Sequence, residues 1–151
     1  HVKNTIERGK KVMASDYAKA LAQLSEYRFK MDNIFSKFDY IASPTVAIPP
    51  HKCNERPNII NGKIDISSID DKEMFEENDY DYSSWIFVLA QFTAPFNWSG
   101  NPAVSLPCGF TKSGLPIGLQ LAGKKRGELS LIQASKAFEE IKPWQQNRPS
   151  I

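Results

Sequence analysis

Several residues of this chain have side chains that could do chemistry, and each depends on a neighbour that could serve it. His51 stands two positions before Cys53. Together they are the ingredients of a thiol–imidazole pair, in which the ring takes the thiol proton and the thiolate attacks a carbonyl. The pair falls among Pro49, Pro50 and Pro57 with no third residue to orient the ring, so its spacing reads as coincidence. Ser99-Gly100 lacks the first glycine of a nucleophile elbow. Ser105 lies inside the apolar run Ala103-Val104-Ser105-Leu106, a strand interior rather than an exposed turn. Cys108 follows Pro107 at the end of that run and reads as packing. Lys124-Lys125-Arg126 could hold a phosphate, but no glycine cradle precedes it, and a solvated turn fits better. Asp70-Asp71 and Glu76-Glu77 lack the ligand spacing and central glycine of a calcium loop. None of these places is assigned a catalytic or metal-binding role.

The elements around them follow from pattern. Asp16 suits the first turn of a helix that Ser15 would cap. From there Tyr17, Leu21, Leu24, Arg28, Met31, Phe35 and Phe38 recur at steps of three and four, the buried stripe of a long amphipathic helix. The thirteen residues before it are basic and weakly helical at best. Tyr40-Ile41-Ala42 is a short strand that Ser43-Pro44-Thr45 leaves. Residues 48–81 read as an irregular acidic excursion, because Pro49, Pro50 and Pro57 disfavour regular structure. Within it Asn61-Gly62 is a turn signal, a short helix is expected near Asp71 to Glu77, and the length suits a lid or specificity loop. Ser84 to Phe92 is apolar almost all round and reads as a buried helix ended by Pro95, with turn residues from Asn97 to Gly100. Ala103 to Leu106 and Pro116 to Ala122 are two strands joined through Cys108 to Leu115. A last helix spans Gly127 to Ile141, with Leu131, Ala134, Phe138 and Ile141 on one face and Pro143 at its end.

The totals exclude several classes. A length of 151 residues is one domain by the usual prior, a single region over 1–151. A net charge of +2 argues against nucleic acid and an anionic membrane. Two cysteines and two histidines cannot build a structural zinc site of recognisable spacing, and Cys53 and Cys108 are expected to be reduced. No run approaches the ~20 apolar residues of a membrane span.

The stretch Phe92 to Gly123 carries a more specific signal. It resembles the amidase signature family, whose members run F-T-x-P-x-N-x-x-G-x-P-A-x-x-x-P, then C-G-F, then G-L-P-x-G-L-Q-L-x-G. Here these stand as Phe92, Thr93, Pro95, Asn97, Gly100, Pro102, Ala103, Pro107, Cys108-Gly109-Phe110, Gly114-Leu115-Pro116, Gly118-Leu119-Gln120-Leu121 and Gly123. The likeness extends forward through Glu128-Leu129, Phe138-Glu139 and Pro143-Trp144, and back through Gly9 to Pro44-Thr45. It leaves out about Cys53 to Ser83. Asn97-Trp98-Ser99 fits a glycosylation acceptor but lies inside this motif and is discounted.

The resemblance implies an α/β fold: the C-terminal part of the amidase signature fold, with strands of a mixed sheet flanked by helices. It implies hydrolysis of carbon–nitrogen amide bonds by a Ser–Ser–Lys site without a cofactor. That site lies in a Gly/Ser-rich signature and an upstream Lys, neither of which occurs in this sequence. The expectation is therefore a C-terminal portion that begins at His1 and supplies scaffold and pocket wall to the remainder of an amidase chain. A small-molecule amide is the expected substrate, in a cytoplasmic protein with no direct nucleic-acid or membrane partner, and homodimerisation is left open. The A subunits of glutamyl-tRNA amidotransferases, components of a carbon–nitrogen ligase, carry Asp in D-x-F-T to read the amino group of glutamine. Ala90 stands at that position, within Ala90-Gln91-Phe92-Thr93. With Trp85 and Phe87, these residues (Ala90, Gln91 and Phe92) are the candidate substrate-binding set, one that favours an apolar or aromatic acyl group. The alternatives are a fragment of an amidotransferase A subunit and a non-catalytic structural remnant.

Overall fold

The structure is a computed structural model that describes residues 2–52, 55–60, 63–68 and 88–147. In chain order its elements are α1 (Val2–Gly9), α2 (Ala14–Phe35), β1 (Tyr40–Pro44), β2 (Glu55–Ile60), β3 (Lys63–Ser68), α3 (Ala94–Ser99), β4 (Ala103–Phe110), β5 (Pro116–Gly123) and α4 (Glu128–Ile141).

The motif strands organise the rest. β5 is the middle of a three-stranded sheet ordered β1-β5-β4, and both pairings are antiparallel. Ser43 and Ser105 both stand opposite Gln120, so β1 and β4 flank the centre of β5 in register. β4 runs past Pro107, with an irregularity between Pro107 and Gly109 that absorbs the missing proline donor.

Helices cover both faces. On one side Met31 and Phe35 of α2, Phe96 of α3 and Ala122 of β5 form the buried cluster, with Tyr27 and Ile41 packed against it. Burying Met31 and Phe35 contributes roughly 1.5–3 kcal/mol apiece. On the other side α4 lies against β4 and β5: a Cβ on Gly123 would meet the Leu131 side chain, and the Tyr40 hydroxyl bonds to Ser130. Two ion pairs close the corner between β5 and α2. Lys124 Nζ reaches Asp39 at 2.8 Å, and Lys125 Nζ reaches both carboxylate oxygens of Asp32, at 2.8 and 2.9 Å. The two lysines of the basic turn are thus neutralised by acids at the end of α2 and just beyond it, rather than set out for an anion.

Several elements differ from the sequence expectation. The residues before Met13 include a helix, α1. α2 starts at Ala14 with Met13 at its N-cap and no side-chain cap, so Ser15 lies inside the helix. The helix ends at Phe35, which leaves Phe38 exposed beyond it. The apolar stripe is buried only in its C-terminal half: Tyr17 and Leu21 remain 62% and 45% exposed. Asn97 to Ser99 are helical, because Pro95 sits in the first turn of α3, where its absent N–H costs nothing. Gly100, at φ 77°, ends α3 in the left-handed region. Within the 48–81 excursion, Glu55–Ile60 and Lys63–Ser68 pair as an antiparallel two-stranded ladder, and the Asn61-Gly62 turn signal between them lies outside the described residues. The expected helix near Asp71 to Glu77 lies outside the described residues.

Candidate functional site

The α2-side face of the sheet carries a row of uncharged polar side chains. Ser43, Gln120 and Ser105 lie side by side across β1, β5 and β4. One step on, the backbone N–H of Thr45 donates to the Gly118 carbonyl at 2.9 Å. Thr45 Oγ1 then meets Ser105 Oγ at 2.6 Å above Gly118. Gly118 permits this: a Cβ there would lie 2.7 Å from Thr45 Oγ1 and 3.0 Å from Ser105 Oγ. A cleft of about 300 Å³ opens beside the pair, lined by Thr45, Val46, Ser105, Pro107, Pro116, Ile117 and Gly118. None of these lining residues is ionisable, so they can hydrogen-bond a neutral group but cannot move a proton at neutral pH.

The neighbouring polar group belongs to Gln120, 3% exposed. Its Nε2 donates to the Phe92 carbonyl at 2.8 Å and to Ser43 Oγ at 3.0 Å. This bond seats the segment that holds three of the five expected pocket residues. Val88 is fully buried, residues 88–90 are helical, and Ala90, Gln91 and Phe92 are half-buried. Thr93 closes the segment: its N–H and Oγ1 donate to the Ala90 carbonyl at 3.0 and 3.3 Å. Gln91 Nε2 donates to the Val88 carbonyl at 3.3 Å, so that side chain is spent locally. Trp85 and Phe87 lie outside the described residues.

Among the described residues, no base faces Ser105 or Cys108. The partner of Ser105 Oγ is the Thr45 hydroxyl, which is not a base. Cys108 is a free thiol facing the Ile117 carbonyl at 3.4 Å. His51 Nδ1 faces the Lys52 carbonyl at 3.1 Å, while Cys53 lies outside the described residues. Asn97 is exposed, but Ser99 of the same triplet is buried, its hydroxyl 3.3 Å from the Phe96 carbonyl. Among the described residues no cluster of His, Cys, Asp or Glu could hold a metal ion.

Two further features buttress the segment's far side. The Tyr27 hydroxyl donates to the Pro95 carbonyl at 3.2 Å, and its ring meets Trp98 edge-on at 6.2 Å. Burial pushes the Tyr27 phenol up from its ordinary range. Asn101, 7% exposed, donates from Nδ2 to the Gly123 carbonyl at 2.8 Å and ties the end of α3 to the end of β5.

A sequence profile of the amidase family matches residues 1–132. The chain belongs to the amidase family. Over 135 residues it is 32% identical to the A subunit of the glutamyl-tRNA(Gln) amidotransferase of Thermodesulfovibrio yellowstonii, covering 89% of this chain and 23% of that one. It therefore spans about a quarter of the length of the curated relatives it matches. Among solved structures it is similar to a bacterial aryl acylamidase of the amidase signature enzymes. There the TM-score is 0.71 at 28% identity, over 96% of this chain and 28% of that one. It is also similar to 6-aminohexanoate cyclic dimer hydrolase, with a TM-score of 0.72 at 26% identity, over 97% of this chain and 28% of the other. The α/β architecture expected from the Phe92–Gly123 motifs is thus the amidase signature fold.

Gln120 and Gly118 enter the sequence analysis only as motif matches, with no role at the site. Gln120 sits in an apolar strand, where a buried amide must find partners. Gly118 sits mid-strand, a position that often marks a close approach. Both signals are visible in the sequence. Their partners, Phe92 and the Thr45–Ser105 pair, are not, since they come from other segments.

Proposed function

We propose that this chain is the C-terminal portion of an amidase that hydrolyses carbon–nitrogen amide bonds. It supplies scaffold and one wall of the acyl pocket, while the remainder of the amidase chain carries the Ser–Ser–Lys site. The observation that carries the reading is the family match over residues 1–132 in a chain spanning about a quarter of its relatives' length. The pocket wall is formed by Ala90, Gln91 and Phe92, with Trp85 and Phe87 preceding them in the chain. Ala90 offers no charge to a substrate amino group, which suits a neutral apolar or aromatic acyl group. The remainder of the chain covers the exposed end of the α2 stripe at Tyr17 and Leu21. The reaction uses no cofactor, and the protein works in the cytoplasm. Among the described residues no helix is long and apolar enough to cross a membrane.

The identity with amidotransferase A subunits favours a second reading, that of a portion of such a protein. Ala90 separates the two, since glutamine recognition needs a carboxylate where Ala90 stands. A graft tests the main reading. This chain replaces the matching 28% of the aryl acylamidase, and hydrolysis of aryl amides is measured. The folded chimera is expected to turn over neutral aromatic amides. A folded chimera that is inactive on every amide tried would overturn the reading.

A further inference from the structure

Among the described residues, the hydrogen bonds of residues 90–93 are local with one exception. Thr93 N–H and Oγ1 reach Ala90, Gln91 reaches Val88, and the Phe96 N–H reaches the Thr93 carbonyl at 3.2 Å. Each spans three residues, and such bonds hold a turn's shape without fixing where it sits. The exception joins the Phe92 carbonyl to Gln120 Nε2, 28 residues away.

Gln120 is itself held rigidly. A carbonyl can only accept, so the amide must present nitrogen to Phe92. The other N–H of that nitrogen goes to Ser43 Oγ, directly opposite in the β1–β5 register. Turning the amide over would set oxygen against oxygen at Phe92. The side chain is buried at the middle of the central strand, where such an error could not be relieved by water. The position of the Phe92 carbonyl is therefore dictated by the three-stranded sheet.

We propose that Gln120 is the positioning residue of the acyl wall, setting the place of Ala90, Gln91 and Phe92 from the sheet without touching the substrate. A pocket wall loose by an ångström loses its discrimination, so a buried anchor beneath it bears directly on which amides fit. The inference rests on the reading of Ala90–Phe92 as that wall.

The test is hydrogen exchange by mass spectrometry on this chain, comparing the peptide over residues 88–94 with the strand peptides 103–110 and 116–123. Gln120→Met keeps the volume and removes both donors. It should speed exchange over 88–94 by at least about tenfold and leave the strands unchanged, since local openings are separable from global ones. Gln120→Glu supplies a rescue. A buried carboxyl is protonated at mildly acidic pH and then donates one O–H to Phe92; ionised, it donates none. After correction for intrinsic rates, this variant should protect 88–94 at pH 5 and lose the protection at pH 9, whereas Gln120→Met should be fast at both. Unchanged exchange in Gln120→Met would overturn the proposal. So would equal loss in the strand peptides, or a Gln120→Glu variant that matches Gln120→Met at pH 5. Exchange reads the order of the segment without substrate, whereas the acyl-wall reading is judged by amide preference in Ala90→Asp, so either can fail alone.

Discussion

Thr45 Oγ1, one residue past the end of β1, and Ser105 Oγ of β4 meet at 2.6 Å over the α-carbon of Gly118, across the strand between them. Side chains on outer strands of a sheet are two strand spacings apart, about 9.6 Å. Two short side chains span that gap only when each leans inward over an empty position. The glycine is thus part of the polar row as much as the hydroxyls are. The same arrangement gives the cleft its floor and leaves the Ser105 hydroxyl occupied.

Gly118→Ala should therefore destabilise the chain by about 1–3 kcal/mol, the usual cost of overpacking. Thr45→Ala in the same background should return part of that loss, since it removes the atom lying 2.7 Å from the new methyl. Denaturant midpoints of the two single variants and the double give the coupling. Simple additivity would mean that the hydroxyl pair does not set the clearance.

The parts of the fold legible in sequence are those with a period. α2, α4 and the β4–β5 pair announce themselves by spacing, and β1 by its change of period after α2. Proline misleads twice. Pro95 reads as the end of one helix, yet it starts another, α3, because the first helical turn has no use for its N–H. Pro57 reads as a barrier, yet it pairs with Ile66 in a two-stranded ladder, where one side of each strand needs no partner. The site is less legible than the fold. Ala90 to Phe92 can be picked out only by resemblance, and their seat on Gln120 joins residues too far apart in sequence for any local pattern to link.

The half-exposed α2 stripe predicts association. Tyr17 and Leu21 continue the row that Met31 and Phe35 bury, and Phe29 adds a further exposed ring. Apolar patches of this kind drive association when uncovered. The chain alone should sediment as oligomers and bind a hydrophobic dye, and Leu21→Lys should lower both. A compact, dye-negative monomer would show that the stripe does not need a cover.

The chain alone should show no amidase turnover. Its Ser105 hydroxyl is bonded to another hydroxyl, and no side chain lining the cleft can take its proton. Purified chain is assayed against short aliphatic and aromatic amides. Turnover abolished by Ser105→Ala or Cys108→Ala would contradict this.

Tyr27 gives a pH signature. Burial raises its phenol above the ordinary value, so the folded state holds that proton more tightly than the unfolded state. Its contribution to stability is complete below the unfolded pKa of about 10 and is lost as pH rises through the higher folded value. Tyr27→Phe keeps the edge-on contact with Trp98 but forfeits the bond to the Pro95 carbonyl, at a cost of about 0.5–1.5 kcal/mol near neutrality. Unfolding midpoints between pH 8 and pH 11 should fall more steeply for wild type than for the variant. Parallel curves would remove the phenol from the account.

Ala90 carries the sharpest functional prediction. In the grafted enzyme, Ala90→Asp restores the D-x-F-T carboxylate that the resemblance to amidotransferase A subunits assigns to reading an amino group. A neutral aromatic acyl group would then face an unpaired charge, which costs several kcal/mol in a dry site. A glutamine-like acyl group would bring the ammonium that satisfies it. The ratio of kcat/KM for glutamine over a neutral aromatic amide should rise by at least about tenfold, because that ratio reports differential binding of the two transition states. Ala90 is half-buried, so the new charge also threatens folding, and circular dichroism and melting must accompany the kinetics. Ala90→Ser controls for size: it adds a polar atom without charge and should leave the ratio within about threefold, as expected when no ion is desolvated. A folded Ala90→Asp enzyme with an unchanged ratio would mean that Ala90 does not face the acyl group, and the wall would have to be sought along another edge of the sheet.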